Sequence, residues 1–255
     1  MQIKGTQSYT TFLLFYVLFL FTCSSFIFEN SSSVSSKIKP RLSVKNISLA
    51  AKDYSSGKNL LYDSLQLGSI GLSKEAYIFA LNGFIRLQNA GKLQNDSILS
   101  IIDFSLPSNR KRLYVINLKM GELLFNTLVS HGKKSGGQIA TSFSNKLNSY
   151  KSSLGFYITG NTYNGHHGCS LRLEGEEAGI NDNALNRGIV MHSAAYVDER
   201  FINNQGYIGR SEGCPAIPKE IHKEIIEKIK NGSCLFIYSP DKYYVAHSKM
   251  IRGEV

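Results

Sequence analysis

The sequence predicts an α+β fold that is mainly β, an antiparallel sandwich or barrel with a helical segment ahead of it and a helix following Cys214. Three observations carry this. Short runs rich in β-branched and aromatic residues recur between Ser97 and Tyr238. Apolar residues at helical spacing occur before Gly91 and again after Pro218. A chain of 255 residues that is 42% hydrophobic is long enough for one good core, or one core and a small appendage.

In chain order, Lys4 precedes a short uncharged apolar run, Phe12 to Phe21, followed by Thr22-Cys23-Ser24-Ser25. This pattern reads as a secretory signal over 1–25 and is short for a membrane span. Cleavage after Ser25 fits the small-residue rule; lipid attachment at Cys23 and an uncleaved anchor extending through Phe28 are the alternatives. Each puts the rest of the chain outside the cytoplasm, in the periplasm or cell envelope. Residues 26–71, rich in Ser, Lys and Asn in their first half, are expected to be a tether, leaving 72–255 as the folded domain.

Ser73 is the expected N-cap of a helix in which Tyr77, Ala80, Leu81, Phe84 and Leu87 share one face, ended by Gly91. Strands are expected at 98–104, 112–117 and 122–129, the last two joined by a hairpin at Lys119-Met120-Gly121. Further strands are expected at 156–159, 170–173, 189–192 and 234–238. Long polar loops, 130–147 and 161–169 among them, suit a site. After Pro218, the residues Ile221, Ile225 and Ile229 mark one face of a helix that stops at Asn231-Gly232.

The formal net charge of +10 and pI near 9.4 favour an anionic partner. The basic residues are scattered, with no zinc-finger spacing, basic helical tail or aromatic-basic signature, so nucleic acid is not the expected partner. The run His131 to Gly137 suggests a phosphate loop only superficially, because Thr127 stands where the motif needs its first glycine. His166, His167, Cys169, His192 and Cys214 include zinc-type donors, but no CxxC or HExxH spacing organises them, and no metal is expected.

The cysteines are informative in an oxidising compartment. With Cys23 set aside, Cys169, Cys214 and Cys234 remain, so at least one thiol has no intramolecular partner. Cys234 lies in an apolar strand pattern and reads as core. A Cys169–Cys234 disulfide is open on sequence grounds. Cys214, flanked by Gly213 and Pro215, follows His192 by 22 positions. A histidine that removes the thiol proton makes a thiolate nucleophile, and a following helix amino end would lower its pKa further. Gly213 would let substrate approach the backbone, so that the Gly213 and Cys214 amides face a developing oxyanion. Taken alone, the pair fits a buried free cysteine and a structural histidine at least as well.

Further segments sharpen this. An apolar strand ending in His, followed by Ser-x-Gly-Cys, resembles the YkuD-type L,D-transpeptidases. More specifically, Ile102-Asp103-Phe104, Val129-Ser130-His131-Gly132, Phe143-Ser144-Asn145, Ser149 to Tyr157 and Gly209 to Ala216 resemble the murein L,D-transpeptidase catalytic-domain branch, over roughly Leu72 to Tyr244. The resemblance implies an L,D-transpeptidase-type fold and peptidoglycan stem peptides as substrate, with no metal or organic cofactor. It implies Cys214 as nucleophile, His192 as base, the Ser193 backbone carbonyl as orienter of the imidazole, and the Gly213 amide as part of the motif. A side-chain triad through Asp198 is the alternative orienter. Ser211, Arg210, Ser153, Gly155, Tyr157 and His167 are the expected substrate-binding residues, with Ser211 shaping the loop. Two positions depart from the pattern. Glu212 replaces the His or aromatic of the family, and an unpaired carboxylate there would raise the thiol pKa. Ala216 stands where the wider family often has an arginine for the substrate carboxylate, leaving Arg210 or Arg112 as candidates.

The expectation is therefore a monomeric envelope cysteine acyltransferase that touches the membrane only through its N-terminal segment. Water as acceptor would make it a carboxypeptidase or endopeptidase, and loss of turnover would leave a cell-wall scaffold.

Overall fold

The computed structural model describes residues 60–166 and 168–252; the expected signal, most of the tether and His167 lie outside them. Helix α1 (Lys74–Asn89) starts at the expected cap, where Ser73 Oγ accepts the Ala76 N–H at 3.1 Å and Asp103 Oδ2 accepts the Ser73 N–H at 3.0 Å. Its buried stripe is Tyr77, Ala80, Leu81, Phe84 and Leu87. Gly83 is also buried, because a Cβ there would stand 2.1 Å from Cζ of Phe156, whose ring stacks on Phe236 at 4.2 Å. The absent side chain lets the helix lie directly on the sheet. The folded part begins earlier than 72: residues 60–64 are helical, and Tyr62 and Leu67 are buried in the main core. The serine- and lysine-rich composition runs to residue 58, and residues 60–71 contain no lysine.

The strands are β1 (Ile98–Asp103), β2 (Leu113–Asn117), β3 (Glu122–Thr127), β4 (Gly155–Gly165), β5 (Gly168–Gly175), β6 (Val190–Ser193), β7 (Ala216–Ile217) and β8 (Cys234–Tyr238). They form one eight-stranded sheet in the order β3-β2-β1-β8-β4-β5-β6-β7. Most pairings are antiparallel as expected, but β1 runs parallel to β8 and β6 parallel to β7. The β2–β3 hairpin turns at Gly121 (φ +68°), with Asn117 Oδ1 accepting the N–H groups of Lys119 and Met120. The open edges approach each other beyond β3. Ser130 N–H donates to Ala216 O at 2.8 Å, and Ser211 N–H to His131 O at 3.0 Å, giving a nearly closed mixed barrel.

The stretch 161–169, expected as a loop, is mostly the extended end of the β4–β5 hairpin. Its Asn, Thr and Gly residues hide the strand signal because this end is largely exposed, so no alternation with a buried face is imposed. Helix α2 (Glu199–Gln205) was not anticipated in the polar stretch after β6. Helix α3 (His222–Ile229) buries Ile225, Ile226 and Ile229 and stops before Asn231 (φ +60°) and Gly232 (φ +92°). Helices α4 (Lys242–His247) and α5 (Lys249–Arg252) follow β8. Among the described residues no helix is long and apolar enough to cross a membrane. All three described cysteines are free, so Cys169 and Cys234 do not form a disulfide.

Candidate active site

Strand β6, which carries His192, pairs with β7, which begins two residues after Cys214. His192 pairs in parallel register with Ala216, and its N–H reaches Pro215 O at 3.4 Å. The turn before β7 is internally bonded. Ser211 Oγ donates to Cys214 O at 2.6 Å and accepts the Gly213 N–H at 3.1 Å. Ser152 Oγ donates to Gly213 O at 3.0 Å and accepts the Gly132 N–H at 3.1 Å. Gly213 has φ +134°, and a Cβ there would lie 2.9 Å from Lys151 O, 3.1 Å from Ile189 and 3.3 Å from Arg187 Nη2. Glycine is required here by the chain's own packing.

The sulfur of Cys214 lies at the foot of β6, with its S–H directed to Gly188 O at 3.7 Å and the Val190 N–H donating to it. His192 is buried, and its Nδ1 is 2.9 Å from Ser193 O. A carbonyl only accepts, so Nδ1 carries the proton and Nε2 is the acceptor of the neutral ring. The imidazole is thus held by a backbone carbonyl. Asp198 is not its orienter: that carboxylate caps α2, accepting the Arg200 N–H at 2.7 Å and pairing with the Arg200 guanidinium.

Burial pushes the Cys214 thiol up; the Val190 N–H and the Arg187 guanidinium pull it back, and the Glu212 carboxylate adds an upward push. The expected depression by a following helix is absent, because β7 intervenes and α3 begins at His222, beyond the one turn over which a helix dipole acts. Glu212 itself is an exposed residue paired with Lys133 at 2.7 Å, so its carboxylate is turned to a cation.

Several expected substrate-binding side chains are spent inside the fold. Ser211 is buried in the turn just described, and the Gly213 N–H is held by its hydroxyl, which removes that amide from the expected oxyanion pair. Ser153 is buried, donates to Ser144 O at 3.0 Å and accepts from Arg187. Gly155 has φ +105°, and its missing side chain makes room for the Glu177 carboxylate and Asn181. Tyr157 is fully buried with its hydroxyl on Ser153 O at 3.0 Å. Gly155 and Tyr157 lie at the buried start of β4, which pairs with β8 on one edge and β5 on the other, whereas Ser153 and Ser211 are held by their own hydrogen bonds in loops. Arg210 is exposed, with Nη1 2.9 Å from Gly136 O. Arg112 is completely buried on the carbonyls of Val129 and Leu106 and on Nδ1 of His131, which excludes it as a receiver of substrate carboxylate. His131 is buried too, its ring edge-on to Phe104, rather than in an open loop. Burial and the Arg112 charge lower its pKa to about 4.

Sequence reasoning passed over Arg187. Its signal was its place: a cation followed by glycine at the start of the run that carries His192. Among the described residues no group of three or more His, Cys, Asp and Glu side chains could hold a metal ion.

A comparison with protein families matches residues 69–238 to the L,D-transpeptidase catalytic domain. The chain belongs to the L,D-transpeptidase catalytic domain family. The matched span runs from just before α1 through β8 and contains both Cys214 and His192. Similar solved structures include an L,D-transpeptidase from Mycobacterium smegmatis at 15% identity and TM-score 0.36, covering 56% of this chain and 59% of that one. An L,D-transpeptidase from Stackebrandtia nassauensis gives 15% identity and TM-score 0.37, covering 64% and 68%. The helical cell shape determining protein Pgp2 from Campylobacter jejuni gives 14% identity and TM-score 0.36, covering 58% and 50%. The chain thus spans about three fifths of the length of the first of these. No curated protein matches it.

Proposed function

We propose that this L,D-transpeptidase family member is a cell-envelope cysteine acyltransferase acting on peptidoglycan stem peptides, delivered there by a secretory or anchoring segment within residues 1–25. The observation that carries the reading is the fixed tautomer of His192 beside the Cys214 turn, with Nδ1–H on the Ser193 carbonyl. Nε2 is then the ring atom able to take the Sγ proton. The thiolate attacks a peptide carbonyl between an L- and a D-centre, and the electron pair of the C=O moves to oxygen. The oxyanion is served by the Cys214 N–H, since the Gly213 N–H is engaged with Ser211. Collapse breaks the C–N bond; His192 returns its proton to the departing amine, and a thioester remains. An amine from a second stem attacks the thioester, gives its proton to His192, and releases Cys214 as thiolate. Water in place of that amine gives hydrolysis at the same centre.

The test is intact-protein mass spectrometry after incubation with a thiol-reactive β-lactam, together with muropeptide analysis. Wild type is expected to gain one adduct and to remodel stem peptides; Cys214→Ala is expected to do neither. His192→Gln is expected to lower turnover by about 10²–10⁴-fold. No adduct and unchanged muropeptides with folded wild-type protein would overturn the reading. Cross-linked products identify an amine acceptor, and trimmed stems identify water.

A further inference from the structure

The residues 144–153 form a stretch without helix or strand that lies against the Gly213–Cys214 turn. One side chain from elsewhere holds much of it. Arg187 Nη1 donates to Ser144 O at 2.7 Å and to Ser153 Oγ, while Nη2 donates to Lys151 O at 2.6 Å and Ser149 Oγ at 3.2 Å. The same Nη2 is 3.3 Å from the point where a Gly213 Cβ would stand, which brings the guanidinium next to the cysteine turn.

All four acceptors are neutral oxygens. Among the described residues no carboxylate forms an ion pair with Arg187. A half-buried arginine that serves only as a brace loses hydration at lower cost when a carboxylate accompanies it. Here the charge is desolvated, fixed by four bonds and left without a counter-charge beside a thiol that must ionise. The other charged and titratable groups that act on or feel the sulfur are Tyr196, after β6, and Glu212, which is paired with Lys133; His192 lies on β6 itself. Tyr157 faces the guanidinium from β4 and is itself held neutral by burial.

We propose that Arg187 is a positioning residue of this site: it clamps the Ser144–Ser153 segment against the Cys214 turn and supplies the standing positive charge for the thiolate. The proposal rests on reading Cys214 as the nucleophile. Guanidinium suits both tasks, because its planar fork binds several oxygens at once and it stays protonated when buried.

The experiment is the pH dependence of iodoacetamide alkylation of the full-length protein, followed at Cys214 by peptide mass spectrometry, with amide exchange of the 149–153 peptide measured in parallel. Arg187→Gln is expected to move the alkylation midpoint up by about one pH unit or more, which near neutral pH is about a tenfold slower reaction. It is also expected to speed exchange in the segment. Arg187→Lys keeps the charge but not the fork, so its midpoint is expected to stay close to wild type while exchange still rises. A folded Gln variant with an unchanged midpoint overturns the proposal. So does a Lys variant whose midpoint rises as far as that of Gln. If the Gln variant does not fold, the Lys variant decides, and unchanged exchange in it overturns the clamp. Both readouts are independent of turnover. A wild type that remodels no muropeptide but still shows the Arg187-dependent midpoint would sink the proposed function and leave this inference standing.

Discussion

Glu212 lies two positions from the thiol, and its effect depends on what it faces. In the fold it faces Lys133 at 2.7 Å, with Lys133 Nζ also 4.2 Å above the Tyr150 ring. Removing either partner should move the thiol in opposite directions. Glu212→Gln removes a negative charge and favours the thiolate, so the alkylation midpoint of Cys214 is expected to fall. Lys133→Ala leaves the carboxylate uncompensated, and the midpoint is expected to rise. The pair is well exposed to water, so each shift should be less than about one pH unit and shrink as salt is added. Alkylation profiles at low and high ionic strength check both signs. The sequence identified Glu212 as the position to examine, but its ion-pair partner lies 79 residues away and was not legible.

Among the elements, the last two helices depend on one buried carboxylate. Glu177 Oε1 accepts the Phe156 N–H at 2.9 Å and the Tyr244 hydroxyl at 3.1 Å, and Oε2 accepts the Ser248 hydroxyl. This joins β4 to α4 and to the residue that precedes α5. Burial raises the pKa of this carboxyl, and the bonds from Ser248, Phe156 and Tyr244 oppose the shift. The folded state therefore holds its proton more tightly than the unfolded chain does. Its contribution to stability is complete below the ordinary carboxylate range and declines as pH rises through the raised value. Asp103, also raised by burial, acts in the same direction. Urea unfolding of Glu177→Gln across this range should show a flatter pH dependence than wild type. Glu177→Ala should lose about 2 kcal/mol or more at all pH values, because buried donors are left without an acceptor. Sequence patterning found α1 and α3 because each buries an apolar face at helical spacing, and most strand positions because they are short runs of β-branched and aromatic residues buried along their length. It missed α2, α4 and α5, which are short, and β7, which has only two residues.

At the scale of the whole molecule, 29 basic residues against 19 acidic ones give a protein attracted to anionic surfaces at long range. If it works on the cell wall, retention on isolated sacculi should fall as salt rises from about 0.05 to 0.5 M, where the screening length drops below about 5 Å. Turnover of a soluble stem peptide should change less, because the charges around Cys214 are fixed within the site. A sedimentation assay run beside a turnover assay separates the two effects. Retention that ignores salt would assign wall attachment to neutral contacts.

The sequence by itself determined the mainly β frame, the first helix and its cap, and the His192–Cys214 spacing, because these reside in local periodicity, turn chemistry and a motif written in consecutive residues. Tertiary structure decided which groups at the site are engaged elsewhere. Gly155, Tyr157 and Ser153 read as cleft lining while their chain neighbours alone were known; in the fold Tyr157 is fully buried, Gly155 makes room for Glu177 and Asn181, and Ser153 is held by Ser144 and Arg187. Only the fold brings Arg187 over the Gly213–Cys214 turn, turns Glu212 toward Lys133, and puts Arg112 out of reach of any substrate. The physical reason is common to all of these. Burial, desolvation and charge pairing depend on residues far apart in the chain, and a linear pattern records none of those distances.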